Sequence, residues 1–195
     1  GRPPLVGAGG STQGLFKPWL AWFAAAHPMD AAALADSGGA DAAGWLRRFA
    51  TVVWEKGDAG RGAVIYQQRA CAACHDGGRR LGPALTGLAG RFGRDDLLLN
   101  IVDPNLSISP TYRAQEVTLK DGTVYRGVPV YQSSAALMLE VGPGATVRVR
   151  GDQIASSVPA LRSPMPEGFL NGITDGELAD FYAYLTTLQA EKPAR

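Results

Sequence analysis

The sequence predicts a mainly α-helical fold with a small inserted antiparallel β-sheet or barrel and an N-terminal helical extension. Three observations carry that expectation. Apolar and aromatic residues recur at helical spacing from Asp41 to Ala70 and again from Thr174 to Leu188. Between them, roughly Tyr112 to Val158, apolar and polar residues partly alternate between tight-turn signals. The 195 residues are enough for one large domain or two small ones. The expected division is an arm and helical extension over 1–57, then a main domain over 58–195 with 112–158 as its β insert.

The extension begins with a Gly- and Pro-rich arm, Gly1 to Gly14. Leu15 to Ala26 then reads as an apolar, aromatic helix, and Pro28 opens a short alanine-rich one. Its apolar run, Trp19 to Ala26, is far too short to cross a bilayer. A Ser-Gly-Gly break at Ser37 to Gly39 precedes Asp41 to Lys56, where Trp45, Phe49, Val52 and Val53 mark one amphipathic face. Core packing is the plainer reading of that face, and no catalytic constellation precedes Asp58.

From Asp58 to Ala70 a further helix is expected. Gly62 and Tyr66, four apart, share one side, so another helix can approach the glycine closely. Its counterpart runs from a cap at Thr174 or Asp175 through Leu178, Phe181, Tyr182, Tyr184, Leu185 and Leu188. In the insert, Glu116 to Leu119, Thr123 to Tyr131, Ala135 to Val141 and Thr146 to Arg150 read as strands. Asp121-Gly122 and Gly142-Pro143-Gly144 supply the turns. An insertion of this kind costs little if its ends lie together.

The chemistry sits between the first crossing helix and the insert. Residues 71 to 75 read Cys-Ala-Ala-Cys-His and hold both cysteines and one of the two histidines. C-x-x-C-H is the attachment sequence of a covalent c-type haem. The thiols of Cys71 and Cys74, three apart on a helical turn, project to the same side and add across the two vinyl groups. His75 follows at once as an iron ligand. Zinc and dithiol readings remain as rivals. A structural zinc site needs four Cys or His ligands in two pairs, and only His27, beside Pro28, is left to help. A thioredoxin-like pair belongs at the end of a βαβ strand, whereas this one follows a helical stretch. A disulfide would close a very short loop and stabilise little.

A ligating imidazole usually donates its second N–H to a carbonyl, which sets its tautomer and direction. The Gly82-Pro83-Ala84-Leu85-Thr86-Gly87 loop lies close behind the motif, and the Pro83 carbonyl is the candidate. For the sixth ligand the chain offers Met29, Met138, Met165 and His27. Met165 lies in Ser163-Pro164-Met165-Pro166-Glu167-Gly168, a loop whose prolines reduce the freedom lost on binding. Met138 falls in an alternating strand and Met29 in an alanine helix. His27, at a helix boundary, would give a bis-histidine iron of lower potential. Met165 is therefore the expected ligand, and a thioether opposite histidine raises the reduction potential and suits electron transfer.

A formal charge of +1 gives no field that would favour nucleic acid or an acidic membrane. Apolar residues at 46% and charged residues at 19% are ordinary for a globular protein. Gly (25) and Pro (13) are plentiful, which fits loops wrapped around a cofactor. Haem attachment to thiols implies an extracytoplasmic, periplasmic setting, with the targeting segment absent from this chain. No hydrolytic triad, P-loop or dinucleotide fingerprint accompanies the motif.

In order along the chain, the Gly62/Tyr66 helix, Cys71 to His75, the Gly82-Pro83 loop, the Met165 loop and Tyr182 to Leu185 resemble a cytochrome c. The pattern is most similar to the haem-binding domain of planctomycete and verrucomicrobial type. That group carries C-x-x-C-H, a GP-x-L-T loop, an R-x-x-L-L-x-x-I-x-D-P helix, a D-G-x-x-x-x-G hairpin and an S-x-M-P-E-G loop. Here these fall at Gly82 to Thr86, Arg94 to Pro104, Asp121 to Gly127 and Ser163 to Gly168. The likeness spans about Gly57 to Leu188 and leaves the preceding residues uncovered. Pro164 departs from the apolar residue often found there. Arg91, after a glycine turn, is a candidate partner for a haem propionate.

The resemblance implies a cytochrome c fold over 58–195 and one covalent haem c with His75 and Met165 as axial ligands. The implied role is single-electron carriage rather than bond-making catalysis, with a redox partner protein or a fused dehydrogenase domain. The alternative is a haem enzyme or gas sensor with an open or labile sixth iron position.

Overall fold

The computed structural model describes residues 21–23, 25–28, 41–75 and 81–188. The chain divides into two compact units, Gly1–Ala40 and Asp41–Arg195. In the first, residues 21–23 and 25–26 are helical, and the Phe23 ring stacks on His27 with centroids 5.2 Å apart. The Gly1 to Gly14 arm, Met29, most of the alanine helix and the Ser37 to Gly39 break lie outside the described residues. Residues 41–57, expected in the extension, fall within the larger unit.

That unit opens with helix α1 (Ala42–Phe49), whose N-terminus is capped by the Asp41 carboxylate accepting from Gly44 N–H at 2.8 Å. The helix stops well short of Lys56. Thr51, Val52 and Val53 are β-branched in succession, and the Thr51 hydroxyl donates to the Arg48 carbonyl at 2.8 Å, a bond that competes with helix continuation. Val52 is buried but Val53 is 53% exposed, so the expected stripe breaks there. A 3-10 turn, Trp54–Lys56, follows. Its Trp54 packs edge-on against Tyr182 and under the Arg94 guanidinium.

Helix α2 (Ala59–Gln68) is capped by Asp58, and α5 (Asp175–Thr187) by a reciprocal Thr174/Glu177 capping box. The two cross at Gly62. A Cβ there would run into the Asp180 carbonyl and lie 2.7 Å from the Tyr184 Cβ. Tyr66 fills the space beside the crossing, its ring centroid 5.1 Å from that of Tyr184. Beyond α2, Ala70 takes φ +54, a left-handed conformation that costs a residue with a Cβ about 1–2 kcal/mol. The chain turns there into α3 (Ala72–His75), and α4 (Arg94–Val102) comes later, with Leu97, Leu98, Leu99 and Val102 buried.

The sheet corrects the expected class. Strands β1 (Gln115–Leu119), β2 (Val124–Gln132), β3 (Ala136–Gly142), β4 (Ala145–Arg150) and β5 (Ile154–Pro159) pair antiparallel in the order β4-β3-β2-β1-β5. The protein is a mixture of helix and sheet, not mainly α, and among the described residues β4 and β5 are the sheet's edges, so the sheet does not close as a barrel. β5 is the strand that local pattern missed: Ile-Ala-Ser-Ser-Val-Pro has little alternation, and its place comes from pairing with β1. Gly122 at φ +87 makes the β1–β2 turn that Asp121-Gly122 announced. Val117, Leu137 and Leu139 form the sheet core, and Ala114, Val128 and Ala160 a second cluster on which Leu81 packs. Among the described residues no helix is long and apolar enough to cross a membrane.

Candidate functional site

The motif turn is held to the end of α2 by main-chain bonds. Cys71 N–H donates to the Tyr66 carbonyl at 3.2 Å, and His75 N–H to the Cys71 carbonyl at 3.1 Å. Neither cysteine is in a disulfide, both are half-buried, and burial pushes the Cys71 thiol up to about 11. It is therefore protonated at neutral pH, unlike the low-pKa thiolate of a reactive redox dithiol. Among the described residues no group of three or more His, Cys, Asp and Glu side chains is arranged to hold a metal ion.

His75 Nδ1 lies 2.7 Å from the Pro83 carbonyl oxygen. A carbonyl only accepts, so the proton sits on Nδ1 and the Nε2 lone pair is left available. Gly82 lies against the same ring: a Cβ on it would be 2.6 Å from Cε1 and 2.8 Å from Nδ1 of His75. The backbone of this loop thus presses on the imidazole and orients it at once. Residues 76–80, between the motif and the loop, lie outside the described residues.

Cys71, Cys74, His75, Pro83 and Met165 line one cavity of about 350 Å³, within the range of small-molecule sites. Its walls are mainly apolar, with Leu81, Leu97, Ile101, Ile108, Phe169 and Phe181 among them. Two thiols, an imidazole with a free Nε2, a thioether and apolar walls are a donor set that fits a covalent haem. Met138 lies in β3, half-buried and paired with Tyr131 and Arg148, and does not line the cavity. His27 is exposed in the other unit.

Arg91 is exposed and absent from the cavity lining, although the next residue, Phe92, belongs to it. The arginine that does line it is Arg69, whose guanidinium donates to the Phe169 carbonyl at 2.6 Å and to the Asn171 carbonyl at 3.1 Å. It ties the motif helix to the chain just after Met165. The sequence marked Arg94 to Pro104 only as a helix of the resembled family and gave no site role to the segment around α4, which contributes Asn100, Ile101, Ser107, Ile108 and Tyr112. One signal was present. Three consecutive leucines followed by Ile101 leave a helix apolar around much of its girth, which requires two burial partners.

No family model matches the chain, and no curated protein matches it.

Proposed function

We propose that this chain is a c-type haem protein, akin to the cytochrome c superfamily, that carries single electrons rather than making or breaking bonds. One observation carries the reading: the C-x-x-C-H turn, an imidazole anchored on a carbonyl and a proline-flanked methionine line the same apolar cavity. Cys71 and Cys74 serve as covalent anchors, since both residues line the cavity. His75 offers Nε2 because Pro83 holds the proton on Nδ1, and the absence of a side chain at Gly82 leaves room for the ring in that position. Met165 offers its sulfur from a separate loop. His75 and Met165 would hold a haem iron there, and that group would supply a one-electron couple. The apolar walls limit water and so limit the reorganisation that a change of charge demands.

Thioether attachment places the protein outside the cytoplasm in this reading, with a redox partner protein or a fused dehydrogenase domain as the other party. The test is an absorption spectrum, oxidised and reduced, of protein made in cells able to attach haem c, with alkaline pyridine denaturation to count thioethers. Two thioethers, a low-spin spectrum and the weak near-infrared band of methionine on ferric iron are expected. Met165→Ala then loses that band, turns high-spin and binds carbon monoxide when reduced. A wild-type protein that is already high-spin and takes up carbon monoxide would replace the carrier with the enzyme or gas sensor. Absence of covalent haem would return Cys71 and Cys74 to zinc or dithiol chemistry.

A further inference from the structure

Just beyond α4, the Asp103 carboxylate accepts the Asn105 N–H at 3.0 Å and fixes a tight turn. The Asn105 side chain then reaches far along the chain in two directions. Its Oδ1 accepts from the Ser163 N–H at 2.8 Å, and its Nδ2 donates to Glu167 Oε1 at 2.7 Å. A backbone N–H needs an acceptor and a carboxylate needs a donor, so only one orientation of the amide satisfies both. The two residues gripped stand on either side of Met165. Two further contacts close the same loop: Met165 N–H donates to Ser163 Oγ at 3.2 Å, and the Arg162 guanidinium lies 3.7 Å from Glu167 Oε1. Asn105 itself does not line the cavity, whereas Pro104 before it and Ser163 to Pro166 do.

We propose that Asn105 is a positioning residue that pins both ends of the Met165 loop and thereby sets how firmly the sixth iron position is closed. The inference rests on Met165 being the iron ligand. Asparagine suits this place because its acceptor and its donor are both required. Aspartate keeps the acceptor for Ser163, loses the donor and sets two carboxylates face to face. Changing Glu167 to glutamine in that background restores a donor–acceptor pair with the polarity reversed.

The experiment measures imidazole binding to the ferric haem protein, the near-infrared methionine band and amide exchange at Ser163 and Met165, for wild type, Asn105→Asp and Asn105→Asp/Glu167→Gln. Asn105→Asp is expected to bind imidazole about tenfold more tightly and to exchange faster at Met165, the size expected of one lost charged hydrogen bond. The double variant is expected to return to within about twofold of wild type, a recovery that general destabilisation would not give. If Asn105→Asp does not fold, Glu167→Ala provides the same reading with a change of about threefold. A wild type with the methionine band whose imidazole affinity moves less than about twofold in these variants overturns this inference and leaves the proposed function standing. A wild type with covalent haem but no methionine band overturns both.

Discussion

Gly82 stands closer to His75 than any side chain could tolerate, and that contact makes it as much a part of the site as the histidine. With a Cβ 2.6 Å from Cε1, Gly82→Ala must tilt the ring or displace the loop, and either movement strains the Nδ1 bond to Pro83. Overpacking of this kind costs about 1–3 kcal/mol. On the proposed haem-binding reading, the expected result is a lower Tm together with a mixed-spin spectrum of the haem-loaded protein. An unchanged low-spin spectrum would mean that the ring has room to spare. Cys71, Cys74 and His75 were legible from sequence because five consecutive residues carry them. The contact between His75 and the Pro83 carbonyl was legible because a ring N–H seeks a carbonyl in a nearby loop. Gly82 was not, since a need for absence of a side chain appears only when the facing atom is known.

At the scale of elements, the α2–α5 crossing turns on one acid. Asp180 is 5% exposed, accepts the Asp58 N–H at 2.7 Å and takes two bonds from the Arg61 guanidinium at 2.6 and 2.7 Å. Arg61, and then the Asp58 N–H, hold its carboxyl below the usual carboxylate range against the opposing effect of burial. The folded state therefore binds fewer protons than the unfolded state as pH approaches that range. The stabilisation is fully present above the unfolded pKa and is lost as pH falls through the folded one. Asp180→Asn is expected to lower Tm by about 5 °C at neutral pH, with the gap to wild type shrinking in acid. Thermal unfolding from pH 7 down to 2 checks it, and a gap independent of pH would rule out the charge as its source. Gly62 and Tyr66 announced the crossing by their spacing. Asp180 did not, because an acid inside an aromatic stripe looks in sequence like a solvent-facing residue. The early end of α1 was also hidden: a hydroxyl bonding back to a carbonyl outweighed the apolar spacing of Val52 and Val53.

Across the whole molecule, the sheet is joined to both sides of the cavity. Ala160 N–H donates to the Ala114 carbonyl at 2.9 Å, and Arg126, on β2, donates to the Arg162 carbonyl at 2.7 Å, three residues before Met165. Leu81, next to Gly82, packs on Ala114, Val128 and Ala160. The insert thus braces the loop that orients His75 and the segment that carries Met165. On the proposed haem-binding reading, Arg126→Ala, exposed and not itself in the cavity lining, is expected to raise imidazole affinity about threefold, in keeping with one hydrogen bond lost at the surface. No change would mean that the sheet is a passive neighbour of the site.

Short motifs, caps and hairpin turns are local properties, and residues within a few positions of one another are enough to dictate them. The C-x-x-C-H turn, a helix cap at Thr174 or Asp175 and the Asp121-Gly122 turn could all be read before any fold was known, and the structure gives the cap to Thr174. Three other features were decided by tertiary structure: the rise of strand content that makes the protein mixed rather than mainly α, the assembly of Met165 with His75 around one cavity, and the grip of Asn105 on the methionine loop. A strand such as β5 gains its hydrogen bonds from a distant partner, so its own residues carry little sign of it. A cavity likewise belongs to no single segment. Its walls here come from helices, loops and a sheet-braced turn, and they exist only once long-range packing has offset the entropy of bringing those segments together.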